Sequence, residues 1–274
     1  MINDMQKISI GEVDLCVQIT GKGTPLFLVS GLGGRASFWA KQVAPFAEQY
    51  RVITHDHRGT GGSTKSLISY SVAQMADDVL RLMDALSLPK VAMVGHSTGG
   101  AITQYLALEH PDRLSCIVLS ATWAGPSPYF HALFRLRSRI LDELGPEAYF
   151  WDGILRAYPP KVLCDSAIPL AENHEDRVAA FPGKEIETSR IEAVLAHDLR
   201  DYVSMISIPT LVIGAADDQI TPESFSDELA NLIPNSQRVI LPFGGHFVPQ
   251  VSVNAYNEAV MSFIQDQQRR GYHA

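Results

Sequence analysis

Cysteine is scarce in this 274-residue chain: there are three, Cys16, Cys116 and Cys164, an odd number at wide spacing. That excludes a disulfide framework and offers no zinc-ligand spacing. Cys16 and Cys116 stand in apolar, strand-like surroundings and read as buried thiols, so a reducing cytoplasm is the expected compartment. Basic runs are also missing. Charged residues make up 19% of the chain and the formal net charge is −8, which argues against a nucleic-acid partner. The QQRR stretch near the C-terminus reads as a solvated helix end. No apolar stretch reaches the ~20 residues of a membrane span, and the opening MINDMQKISI has no apolar signal core. The glycine-rich SGLGGRASFW has neither G-x-G-x-x-G nor the Lys-Ser/Thr of a phosphate loop, which excludes a nucleotide site there. No internal repeat or low-complexity tract is evident.

What the chain does have is apolar residues, 46% of the total. That suffices for one large domain, or one domain carrying an insertion. Six short apolar runs read as buried strands: PLFLVSG, RVITHD, KVAMVG, LSCIVLSA, PTLVIGA and QRVILP. Helical periodicity separates them over Tyr70–Leu86, Gly99–Glu109 and Pro222–Leu232, and Asn254–Gln268 closes the chain. Near-continuous apolar strands alternating with helices predict a mostly parallel α/β sheet covered on both faces. ISIGEVDLCVQITG alternates instead and predicts an antiparallel hairpin at the sheet edge. From Trp123 to about Met205 the rhythm breaks into an aromatic- and arginine-rich stretch, helical over Phe134–Leu144 and Ile186–Ala196. It reads as a helical lid or cap over residues 123–205, set between core portions 1–122 and 206–274, above the sheet edge where ligands bind in such folds.

VGHSTGG places Ser97 in G-x-S-x-G directly after a strand and before a helix. That context points to a nucleophile on a tight strand-to-helix turn, where small neighbours relieve crowding. A serine hydroxyl needs a base, and His246, in the Gly-Gly loop of PFGGHFVPQ, follows the last strand. His96 adjoins Ser97 but points elsewhere in a tight turn; His55 and His57 are weaker candidates. An acid must orient the base. GAADDQITP offers Asp218, with Asp217 as the fallback, and one of the two could instead cap the helix that begins near Pro222. The order Ser97, Asp218, His246 is that of a Ser-His-Asp triad on such a sheet. Oxyanion donors are expected from the backbone N–H groups of Thr98 and Leu32, with Gly31, Gly33 and Gly34 letting the backbone approach a substrate.

Taken together, LVSGLGGRASFW, DHRGTGGS, VGHSTGG, GAADDQITP and GGHF resemble the α/β-hydrolase superfamily over nearly the whole chain outside the lid. Within it, SGLGG…FW, DHRGTGGS and YSVAQMADDV resemble the RutD-type aminoacrylate (carbamate) hydrolases, whose neighbouring branch is the 3-oxoadipate enol-lactonases. Ser30-Gly31 stands where many relatives carry His-Gly, and Thr98 stands where bulkier apolar residues are common. The resemblance implies the α/β-hydrolase fold and hydrolysis of a small ester, lactone, carbamate or enamine-type acid, without cofactor or metal. C–C bond hydrolysis or perhydrolase chemistry on the same triad, and a ligand receptor with little turnover, stay open as alternatives. Arg58, suited to bind a carboxylate, Arg35 and Trp123 are candidates for substrate contact beside Gly31. Arg58 could equally tie its own loop to a nearby Asp. Phe130, Phe134, Phe150 and Trp151 offer a lid roof. The expected partner is a small-molecule substrate, with no nucleic acid and no membrane; a homodimer is left open.

Overall fold

A computed structural model describes residues 5–165, 178 and 181–271. Its strands are β1 (Gln6–Ser9), β2 (Asp14–Thr20), β3 (Thr24–Val29), β4 (Tyr50–His55), β5 (Val91–His96), β6 (Leu114–Ser120), β7 (Thr210–Ala215) and β8 (Ser236–Leu241). They form one eight-stranded sheet in the order β1-β2-β4-β3-β5-β6-β7-β8. β1 pairs antiparallel with β2, with Lys7 opposite Cys16, and β2 pairs antiparallel with β4; every other neighbour is parallel. The α/β architecture and its antiparallel edge therefore match the sequence expectation.

Strand period 2 sorts the core into two layers. In β3, Phe27 and Val29 face one layer with Ile53, Met93, Ile117 and Leu119. Leu26 and Leu28 face the other with Val52, Val94, Val118 and Ile213, against Trp39, Phe46, Tyr256 and Phe263. The first layer is covered by α2 (Val72–Ala85) and α3 (Thr98–Glu109), the second by α1 (Ala40–Ala47) and the C-terminal helix Val253–Gly271. Ser71 caps α2 by accepting from Gln74 N–H at 3.0 Å. Of the thiols, Cys116 is buried, and burial pushes it up to about 12. Cys16 is only partly buried and Cys164 is exposed, so the buried-thiol expectation fails for Cys16.

After β6 the chain leaves the sheet and rejoins it at β7. Between lie α4 (Pro128–Ala157), α5 (Pro160–Cys164) and α6 (Lys184–Ala196). Residues 166–177, 179 and 180 of this inserted stretch are outside the described set. Ser127 caps α4, and Pro128 sits at its first turn, where its missing N–H costs nothing. At Gly145, φ 83° breaks the helix and Pro146 restarts it, so the run expected to end at Leu144 does end, and a second helix follows without a loop. The short α1 and that second helix were not among the helices expected from the sequence. Among the described residues no helix is long and apolar enough to cross a membrane.

Candidate active site

Ser97 joins β5 to α3 with φ 54° and ψ −119°, in the positive-φ region that non-glycine residues rarely occupy. Three contacts over-determine the turn. Ser97 N–H donates to Ser120 O at 2.8 Å, Gly100 N–H to Ser97 O at 2.8 Å, and the Thr122 hydroxyl to Ser97 O at 2.8 Å. The small residues around Ser97 answer to packing. A Cβ on Gly95 would lie 2.2 Å from Gly99 O, and one on Gly99 would lie 2.2 Å from Val29 O. One on Gly100 would meet Thr122 at 2.5 Å. The helix can therefore press against β3 and β6 while the serine hydroxyl stands clear.

His246 Nε2 lies 3.0 Å from Ser97 Oγ, and His246 Nδ1 lies 2.9 Å from Asp218 Oδ2. All three residues are buried. Asp218 is held rigidly: its Oδ1 accepts from Ile220 N–H (2.7 Å) and Thr221 N–H (3.0 Å), and its Oδ2 accepts from the Thr221 hydroxyl (2.8 Å). An acceptor-only carboxylate facing Nδ1 selects the Nδ1–H tautomer, which leaves Nε2 free to accept from the serine. Asp217 turns to the other side, where its Oδ1 accepts from Gly245 N–H at 2.8 Å. Neither aspartate caps the following helix, Glu223–Leu232, whose N-cap position is Pro222.

Gly34 N–H donates to Gly31 O at 2.9 Å. In a trans peptide C=O and N–H point in opposite directions, so this bond turns the Leu32 N–H away from Gly34, and Leu32 lines a cavity together with Ser97. Thr98 is the first residue of α3, where the backbone N–H lacks an intrahelical partner. A Cβ on Gly31 would lie 3.0 Å from Ser97 Cβ, so any larger residue there presses on the serine side chain.

The cavity holds about 380 Å³, within the range of small-molecule sites. Ser97, His246, Gly31, Leu32 and Arg35 lie on its floor and rim, and Phe134, Phe150, Ile154 and Phe181 come from the insertion. Arg58 and Trp123 do not line it. Arg58 makes a bidentate pair with Asp78 of α2, at 2.9 and 2.5 Å, which accounts for its place in the loop without a substrate. Trp123 is buried against Phe130 and His197. Phe130 and Trp151 do not line the cavity either, and Phe130 is buried among Trp123, Phe134 and Phe225. His96, expected to point elsewhere, does line the cavity. It bonds Ser120 Oγ (3.2 Å) rather than Ser97, and it stacks on Phe38. Burial, helped by His246 nearby, pushes its pKa well below the usual histidine range, so it is neutral.

Sequence reasoning missed a polar cluster in the roof. Tyr149 OH donates to Glu187 Oε1 at 2.7 Å, and the Arg137 guanidinium lies over the Tyr149 ring at 4.5 Å while pairing with Asp152 at 2.9 Å. Burial raises the Glu187 pKa against the pull of Arg190 and Arg137. Charged residues dispersed along two helices gave no pattern that marked these as buried. Among the described residues, no cluster of three or more His, Cys, Asp or Glu side chains is placed to hold a metal ion.

A strained serine at the end of the middle strand, with a histidine and an acid from later strand ends, is the arrangement of an α/β hydrolase, and the chain belongs to that family. Residues 24–153 match the α/β-hydrolase fold profile, and residues 170–256 match a serine hydrolase profile (FSH1). The chain is a hydrolase. It is 38% identical, over 95% of its length and 99% of the relative's, to a Caulobacter vibrioides protein named "Putative carbamate hydrolase RutD". A protein of the same name from Azorhizobium caulinodans is 36% identical over 92% of this chain and 96% of its own. The enol-lactonase structure from Burkholderia xenovorans superposes with a TM-score of 0.87 at 28% identity, covering 95% of this chain and all of that one.

Proposed function

We propose that the chain is a serine hydrolase in which Ser97 is the nucleophile, His246 the general base and acid, and Asp218 the group that orients the imidazole. The observation that carries this reading is the unbroken line from Ser97 Oγ to His246 Nε2 (3.0 Å) and from His246 Nδ1 to Asp218 (2.9 Å). Ser97 Oγ attacks the carbonyl carbon as its proton passes to His246 Nε2, and the oxyanion is received by the Leu32 and Thr98 N–H groups. The bond to the leaving group then breaks, and the leaving group takes the proton from His246. Water attacks the acyl-serine, gives a proton to Nε2, and the acid product departs as Ser97 regains its proton. No step calls for a metal or an organic cofactor.

The substrate class proposed is a small carbamate, ester, lactone or enamine-type acid. A cavity of about 380 Å³ with mostly apolar walls suits a compact acyl group, and the named relatives include carbamate hydrolases and an enol-lactonase. The insertion acts as a lid that supplies the roof. The test is mass spectrometry after treatment with a small fluorophosphonate. One adduct on Ser97, absent in Ser97→Ala and weakened in His246→Ala, is expected; turnover of short esters, lactones and carbamates is then compared. A wild-type protein that gains no adduct from this reagent or from a smaller sulfonyl fluoride, and turns over none of these substrates, would overturn the reading.

A further inference from the structure

Arg190 is the largest charged side chain with no exposure to solvent, and it belongs to the insertion rather than to the core. Its guanidinium reaches out of α6 into the loops that build the site. Nη2 donates to Leu32 O at 2.8 Å and lies 3.3 Å from His57 Nδ1, and Nη1 donates to Arg58 O at 3.2 Å. The Tyr70 ring covers one face, 5.6 Å from the guanidinium carbon. His57 is held neutral by burial and by the neighbouring His55 and Arg190, and the donor-only guanidinium facing Nδ1 selects the tautomer in which that nitrogen accepts. The surrounding backbone is shaped to admit the group: a Cβ on Gly34 would lie 3.0 Å from Arg190 Nη2.

Two peptide planes flank the Leu32 Cα. The first is pinned where Gly31 O accepts from Gly34 N–H, and the second where Leu32 O accepts from Arg190. The Leu32 N–H lies in the first plane, and with the second plane held by Arg190 the chain cannot relax about the Leu32 Cα to let the first one turn. We infer that Arg190 is a positioning residue: seated from the insertion, it locks the Leu32 peptide so that its N–H is aimed at the oxyanion formed on Ser97. This rests on the serine-hydrolase reading above. A buried, pre-formed ion is suited to the task because a planar fork can hold several carbonyls at once and loses little freedom in doing so. Such aiming matters to the transition state more than to the bound substrate, because only the transition state carries the charge that the N–H meets.

The test is a steady-state comparison of wild type and Arg190→Lys on a short p-nitrophenyl ester. It is accompanied by the fluorophosphonate labelling rate at Ser97 and the affinity for an alkyl boronic acid, which mimics the tetrahedral adduct. Lys reaches one acceptor where Arg reaches three. The expected result is a kcat lower by about 10–100-fold with KM within threefold, since a donor misplaced by an ångström costs that order. Labelling and boronate affinity should fall in parallel, and the Leu32 and Gly33 amide resonances should shift while that of Thr98 stays. If Arg190→Lys does not fold, Tyr70→Leu keeps the guanidinium but removes its stacking face, and the same split, with a smaller kcat loss, is expected. An unchanged kcat, a change confined to KM, or a loss that only tracks the folded fraction would overturn the inference. A wild-type protein without a Ser97 adduct or turnover would instead overturn the hydrolase reading, and this inference with it.

Discussion

Asp217 and Asp218 are adjacent in the chain and hold the His246 loop from two sides. Asp218 accepts from the imidazole Nδ1, and Asp217 accepts from the backbone N–H of Gly245, one residue before the histidine. The two carboxylates therefore predict different mutant phenotypes. Asp218→Asn should lower kcat by about 10⁴-fold, because an amide facing Nδ1 favours the wrong tautomer. Asp217→Asn should stay within a few-fold of wild type, since the amide oxygen can still accept from Gly245. Steady-state kinetics on any turned-over ester decides between them, and the reverse ranking would reassign the acid.

Two glycines should fail in different ways. Gly31→Ala places a methyl 3.0 Å from Ser97 Cβ, so we expect Ser97 labelling to slow by about 10²-fold with little change in the urea midpoint. Gly99→Ala drives its methyl to 2.2 Å from Val29 O. There we expect stability itself to fall, by about 1–3 kcal/mol or more. Parallel urea titrations and labelling rates separate the two outcomes.

Arg58 should prove to be a stability residue. Removing it leaves Asp78 buried, with Gln74 Nε2 as a remaining donor at 2.6 Å. Arg58→Met is expected to cost about 3 kcal/mol while leaving KM unchanged. The double change Arg58→Met with Asp78→Leu should recover much of that loss. A rise in KM without loss of stability would return Arg58 to the substrate site.

Acid sensitivity follows from four buried histidines, His55, His57, His96 and His197, all pushed below the usual range by burial. Burial pushes His55 down to about 3 and His197 down to about 4. Below pH 6.5 the unfolded chain takes up protons at these positions and the folded chain does not. Their contribution is therefore intact above that pH and is lost as pH falls toward the folded values, by up to about 1.4 kcal/mol per pH unit for each. The urea midpoint should drop between pH 6.5 and 4, and His197→Gln should flatten the slope. An unchanged slope in that variant would show that His197 is not the source.

The mostly parallel sheet with its antiparallel edge and the residues of the Ser97–His246–Asp218 line were legible because each is tied to a local pattern: an apolar run, a Gly-flanked turn, a chain order. Asp218 over Asp217 was legible as a preference, and the Thr221 hydroxyl and Ile220 N–H that fix it became visible only in space. Of the roof, the apolar Phe134 and Phe150 were legible and the polar part was not. Arg137, Tyr149, Glu187 and Arg190 are charged or polar residues on helices, where the usual reading is a solvated face, and their burial depends on a partner far along the chain. Arg58 and Trp123 were placed near the site because they follow strands. Proximity to a strand end does not settle which way a side chain turns.

The stretch between β6 and β7 is contiguous, enters and leaves at neighbouring strands, and contains neither Ser97, Asp218 nor His246. It is thus a cassette that two cuts could exchange for the corresponding piece of a relative, changing the shape above Ser97 without touching the Ser97–His246–Asp218 line below. Arg190 sets a condition on that exchange. A donor cassette that lacks an arginine at this helix position would bring a new roof and leave the Leu32 carbonyl without its partner, so chimeras should be chosen by that one side chain before they are chosen by the shape of the pocket.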